Sequence, residues 1–334
     1  MSEAFELFET LGGAFGPSGR EEDVREVIAA YAAEYCDDLT TDTLGSLICR
    51  KKGTGEHKKK LLVAAHMDSI GVVATFIDEH GFIRFAPVGG LSVGDLLNIP
   101  VRFANGTRGV ISYEEKTARK DLTIERLFID VGVTSRADAE ACVRVGDFAV
   151  FDGARFEQNG VLCGPYLDNR IGCAAVLMAM KMLPETVEND LYFAFTVQEE
   201  VGLRGAGPAA FAVEPDFAFA VDVTDTGDLP EQKYPMACAL GKGPAIKLMD
   251  SSVICSPVVT AALERAAAEA GIAVQHEILR FGGTDTAMLQ KTAMGAPAGA
   301  VSIPTRYIHS PSELCAVSDV EGAAKLLAHF LTQD

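Results

Sequence analysis

Tryptophan is absent from this 334-residue chain, and with it the side chain best suited to stacking on a sugar ring. Positive charge is scarce: 29 lysines and arginines stand against 47 aspartates and glutamates, a net charge of −18. Such a balance repels a nucleic-acid backbone and an anionic membrane surface, so neither is expected as a partner. No apolar run reaches membrane-spanning length, and the opening Met1-Ser2-Glu3-Ala4-Phe5-Glu6 is acidic where a signal peptide would be basic and then apolar. A cytoplasmic location is therefore expected. The eight cysteines include no Cys-x-x-Cys pair, and Cys163 and Cys173 lie in apolar segments, which fits reduced core thiols. Also missing is a Gly-Lys-Ser/Thr after the glycine-rich Gly16-Pro17-Ser18-Gly19. That absence argues against a phosphate-binding loop.

What the chain does hold is enough apolar content, 48%, to bury two cores, and its length favours two domains. Helical spacing runs from residue 2 to about 35, interrupted at Gly12-Gly13 and again at Gly16 to Gly19, and Ser18 with Glu21 resembles a capping box. Lys58-Lys59-Lys60 leads into an apolar strand, Leu61 to Ala65. From about 72 to 160 short β-rich runs alternate with glycine turns: Val72 to Ile77, Phe82 to Ala86, Val101 to Phe103, Gly109 to Tyr113 and Phe148 to Phe151. After Gly164 longer units alternate: helix about 169 to 183, strand 191 to 197, helix about 204 to 212 and strand 217 to 222. They continue as helix 257 to 270, strand 273 to 279, helix about 284 to 290, strand 298 to 303 and helix 316 to 332. The expectation is a discontinuous α/β domain, residues 1–71 and 161–334, whose sheet is covered by helices and interrupted by a β-rich domain, residues 72–160.

Five segments put metal-competent side chains where strands end or helices begin. They are His66-Met67-Asp68, Leu167-Asp168-Asn169-Arg170, Glu199-Glu200-Val201-Gly202, Val221-Asp222 and Ile308-His309-Ser310. Each has a local explanation. His66 reads equally as a core histidine, Asp168 as a helix N-cap, Glu199 and Glu200 as solvated loop residues, and Asp222 as a turn cap with Asp225 as its rival. Ser310 and Glu313 resemble a second capping box with Pro311 in the first helical position. If the segments converge, they supply two imidazoles and four carboxylates, with Asp68 two residues from His66 and placed to orient it. Asp168 could then bridge two cations through its two oxygens. Two like charges about 4 Å apart cost roughly 4 kcal/mol at an effective dielectric near 20. A converged cluster therefore requires cations or protons.

Taken in order with Gly282-Gly283-Thr284-Asp285 and Arg306-Tyr307-Ile308-His309-Ser310, these motifs resemble the glutamyl and deblocking aminopeptidases. That family of dinuclear metallo-aminopeptidases is known for tetrahedral assemblies, and some members were once labelled endoglucanases. The resemblance runs from about residue 16 to 315. It implies a mixed-sheet, zinc-peptidase-like α/β catalytic domain with helices on both faces and an inserted, barrel-like dimerisation domain. It also implies homo-oligomers, as dimers or dodecameric shells, acting on peptides. Carried over by motif, His66 and Asp222 would hold one metal, Glu200 and His309 the other, and Asp168 would bridge. Glu199 would be the general base and Asp68 would orient the His66 imidazole, with zinc or cobalt as the cations. One departure is visible: Ser69 stands where the family often has Glu after His-Met-Asp.

The expected reaction is removal of N-terminal residues from short peptides by an activated water. A metal-dependent N-acyl amino acid deacylase or carboxypeptidase-type amidohydrolase is the alternative. A glycoside hydrolase using a carboxylate pair would leave His66 and His309 without a role, and a non-catalytic scaffold would leave Glu199 without one.

Overall fold

The computed structural model of the protein describes residues 1–232 and 234–333. Two amphipathic helices open the chain, α1 (Glu3–Gly13) and α2 (Glu22–Ala32), followed by strands β1 (Asp38–Thr41), β2 (Leu47–Lys51) and β3 (Lys60–His66). A run of short strands comes next: β4 (Gly71–Ile77), β5 (Ile83–Val88), β6 (Ile99–Phe103), β7 (Arg108–Tyr113), β8 (Leu127–Asp130), helix α3 (Arg136–Glu140) and β9 (Phe148–Phe151). These strands close a barrel in the order β4-β5-β8-β7-β6-β9. Alternate side chains such as Val72, Ile83, Val101, Ile111 and Ile129 fill its interior. Strand β8 is not apparent in the sequence, because it is four residues long and only Leu127 and Ile129 point inward.

The remaining elements are β10 (Phe156–Gln158), β11 (Val161–Gly164), α4 (Leu167–Met182), β12 (Asp190–Thr196), α5 (Ala206–Val213), β13 (Phe217–Thr224), β14 (Ala245–Met249), α6 (Pro257–Glu269), β15 (Gln275–Ile278), α7 (Thr286–Gln290), β16 (Ala298–Arg306), β17 (Glu313–Ala316) and α8 (Val317–Leu331). They join β1 to β3 in an 11-stranded mixed sheet, ordered β1-β2-β12-β3-β13-β16-β17-β11-β10, with β14 on β16 and β15 on β14. One face is covered by α1, α2, α4, α6 and α8, the other by α5 and α7. On the second face the contacts are mainly alanines, among them Ala64, Ala206, Ala210, Ala220 and Ala300, which let the helices lie close to the strands. Gly299 serves the same end on the α6 side, since a Cβ there would sit 2.5 Å from Val259.

Strands β12, β3, β13 and β16 are adjacent and mutually parallel. Their carboxyl ends therefore emerge along one rim of the sheet, the edge where open α/β sheets build their sites. Beside them, Lys247 on β14 is fully buried against its cross-strand neighbour Glu277 on β15, with Asp250 3.4 Å away. Cys163 and Cys173 are buried, and all eight cysteines are free thiols. No helix among the described residues is long and apolar enough to cross a membrane.

Candidate metal centre

The rim gathers every residue that the sequence nominates. His66, the last residue of β3, is buried, with Nε2 3.1 Å from Asp168 Oδ1, 3.5 Å from Asp222 Oδ1 and 3.9 Å from Glu199 Oε2. Three residues beyond β16, His309 presents Nε2 3.3 Å from Asp168 Oδ2 and 3.1 Å from Glu200 Oε2. Asp168 thus turns one oxygen to each imidazole. The ligand atoms fall into two groups, His66 with Glu199 and Asp222, and Asp168 with Glu200 and His309. Asp225, the rival to Asp222, is exposed at the margin and belongs to neither.

Neighbouring residues of a regular strand point to opposite faces, so Glu199 and Glu200 converge only because the chain turns first. Gln198 makes that turn with φ of 56°, a left-handed backbone, before the glycine at 202. Asp68 then holds the turned segment: its Oδ1 accepts from Glu199 N at 3.0 Å and its Oδ2 from Glu200 N at 3.2 Å. The same carboxylate lies 3.4 Å from His66 Nδ1 and accepts from Ser18 Oγ at 2.6 Å. Tyr307 and His309 are left-handed as well, at 61° and 65°, in the turn after β16 that brings Ile308 and His309 to the cleft.

Two capping boxes expected from the sequence are not formed. Helix α2 begins at Glu22 without a side-chain cap; Ser18 serves Asp68, and Glu21 accepts from Gly19 N and Gln198 N at 2.6 and 3.2 Å. Glu313 opens strand β17 rather than capping a helix, and its two oxygens accept from Asp168 N at 2.8 Å and His309 N at 2.9 Å. Asp168 is no N-cap either, since that position of α4 falls on Tyr166. Ser18, Glu21 and Glu313 are therefore supporting residues that the sequence reading missed. Ser69, the departure from the family pattern, donates from N and Oγ to Gly16 O at 3.1 and 3.3 Å, which fixes the segment that carries Ser18.

Burial dominates the electrostatics, and the carboxylates answer it differently. It opposes the charge on His66, yet Glu199, Asp222 and Asp168 hold that imidazole well above the usual histidine range. His309 is likewise pushed up to about 12 by Asp168 and Glu200 in spite of burial. Burial raises Glu199 well above the ordinary carboxylate range, with Asp222 adding to the effect, and lifts Glu200 to about 6. Burial also raises Asp222, whereas the two imidazoles overcome it at Asp168 and hold that group low. Asp285, whose carboxylate accepts from Thr196 Oγ1, rises to about 7 through burial.

This environment fits divalent cations. Among the described residues no lysine or arginine forms an ion pair with Asp68, Asp168, Glu199, Glu200 or Asp222, whose ion pairs are all with the two histidines. Glu200 Oε1 is buried without a hydrogen-bond partner. Imidazole and carboxylate donors without thiolate suit zinc, cobalt or manganese. The centre opens into a cleft of about 610 Å3, bounded opposite by Ser251, Ser252 and Gly282 to Thr284. The barrel also reaches it: a Cβ on Gly90, between β5 and β6, would lie 3.0 Å from His309 Nδ1.

An α/β sheet with a buried histidine and carboxylate cluster at its carboxyl rim, open to a wide cleft, defines a metal-dependent hydrolase. The profile of the M42 glutamyl aminopeptidase family matches residues 45–326, and the chain belongs to that family. A protein of Acetivibrio thermocellus is 49% identical over 98% of each chain. The aminopeptidase of the archaeon Desulfurococcus kamchatkensis superposes with a TM-score of 0.96 at 36% identity, over 99% of this chain and 95% of that one. The Pyrococcus horikoshii TET1 peptidase, described as assembling into a tetrahedron or a large octahedral shell, gives 0.88 at 32% identity over 99% and 100%. The protein is a metal-dependent aminopeptidase, the first of the reactions that the sequence leaves open.

Proposed function

We propose that the site holds two divalent cations, zinc or cobalt, one on His66 and Asp222 and the other on Glu200 and His309, with Asp168 bridging. The observation that carries this reading is the stance of Asp168, with one oxygen 3.1 Å from His66 and the other 3.3 Å from His309. When bound, two such cations polarise the peptide carbonyl and acidify the attacking water. Glu199 is left as the general base: it takes the proton of that water and passes it to the leaving amine. Its burial favours this role, since a carboxyl that binds a proton readily can both accept and return one. Asp68 is a positioning residue that fixes the His66 ring and the Glu199-Glu200 backbone at once.

The substrates are short peptides with a free amine, and neither nucleic acid nor a membrane is a partner. Residues 1–71 with 161–334 act as the catalytic domain and 72–160 as an inserted dimerisation domain. The dimers serve as building blocks of a larger shell, up to a dodecamer. Exposed apolar side chains on the barrel, Phe76 at 50% and Val110 at 42%, support that surface as an interface. Eight free thiols favour a reducing, cytoplasmic setting. Native mass spectrometry of the zinc- or cobalt-reconstituted protein tests cations and assembly together. Two ions per chain in a multiple of two chains is expected; one ion per chain, or a lone monomer, contradicts the respective part.

A further inference from the structure

We infer that this enzyme prefers peptides beginning with a large uncharged apolar residue, received by the pocket that Phe281, Leu279, Ile278, Met236 and Tyr307 wall beside the metal centre. The inference rests on the aminopeptidase reading above. The pocket encloses about 230 Å3 and shares Asp225, Leu279 and Phe281 with the catalytic cleft. A side chain next to the scissile carbonyl can enter it without the peptide leaving the cleft.

Three of its walls are large apolar groups left open, Phe281 at 59%, Ile278 at 54% and Tyr307 at 50% exposed. Apolar side chains exposed singly need no explanation, but several around one concavity mark a ligand surface. The charges in the lining argue against an ionic occupant. Arg306 is held by Asp228 through two bonds, Nε to Oδ1 at 3.0 Å and Nη2 to Oδ2 at 2.6 Å. The Arg280 guanidinium lies 5.3 Å from the Tyr234 ring centre and 6.0 Å from that of Phe281, so its charge rests against aromatic rings. Among the described residues of the lining, Asp225 sets one negative charge against the positive charge of Arg280, so neither an acidic nor a basic side chain meets an excess of opposite charge there.

The wall is also held in shape before any peptide arrives. Leu279 N donates to Met249 O at 3.0 Å, Ser251 N to Gly282 O at 3.2 Å, and the buried Lys247 and Glu277 pair anchors β15 just before Ile278. Preformed apolar pockets bind with little ordering cost.

The test is a panel of aminoacyl p-nitroanilides, with Leu, Met, Phe, Ala, Glu or Lys, assayed on the metal-loaded enzyme. The expected kcat/KM for the best of Leu, Met and Phe exceeds those for Glu and Lys by at least about tenfold. In Phe281→Ala the Leu-over-Ala ratio of kcat/KM falls about tenfold, a ratio that partial loss of folded or metal-loaded enzyme does not move. A highest value on Glu or Lys, or an unchanged ratio in Phe281→Ala, overturns the inference and leaves the aminopeptidase reading standing. Inactivity on every free-amine substrate overturns both.

Discussion

Asp68 shows how one side chain can set a whole centre. It reaches an imidazole, two peptide N–H groups and the Ser18 hydroxyl, so the proposed base Glu199 and the proposed ligand Glu200 share one anchor. Glu21 stands behind this anchor. Burial lifts its carboxyl to about 7, with Asp68 adding to the rise and the Gly19 and Gln198 amides opposing it. Its ordinary value is 4.5, so between about 4.5 and 7 the folded chain keeps a proton that the unfolded chain has released. Stability therefore falls as pH rises through that window. Denaturant midpoints in chelator should drop further between about pH 5 and 7.5 for the wild type than for Glu21→Gln, and equal drops would contradict the assignment. The residues proposed to hold metal are legible in the sequence because each follows an apolar strand or opens an apolar helix. Ser18, Glu21 and Glu313 are not, because their spacing satisfies a local capping rule while their partners Asp68, Gln198 and Asp168 lie 50, 177 and 145 residues away.

At the scale of elements, four parallel strands do the assembling. Their apolar, β-branched and aromatic runs make β3, β12, β13 and β16 readable from sequence alone, and the common direction brings their ends together. Strands with few buried side chains, such as β1 and β8, give no such signal. Nor does the sequence reveal that β14 and β15 meet through a buried ion pair, since Lys247 and Glu277 are 30 residues apart. That pair is a point of vulnerability, because removing one partner leaves the other charged and dry. Lys247→Met is expected to cost about 3–5 kcal/mol in urea unfolding, and Lys247→Met with Glu277→Leu to cost less than the single change. A single variant within about 1 kcal/mol of wild type would show that the pair is not coupled as its burial requires.

The whole molecule couples a closed barrel to an open sheet at the catalytic rim. The loop carrying Gly89 and Gly90 leaves the barrel and lies against Glu200 and His309, where a Cβ would meet them at 3.3 and 3.0 Å. A barrel that packs subunits together would thus also set the position of two of the proposed metal ligands. This contact joins segments more than a hundred residues apart and has no counterpart in local sequence pattern. One distinction decides the proposed mechanism: Glu199 sits among the candidate ligands and yet acts as the base. Turnover and bound metal measured together on cation-loaded Glu199→Gln test it most directly. Two ions per chain are expected to be retained, with turnover lowered by roughly 10²–10⁴-fold. Near-normal turnover with both ions in place would contradict it.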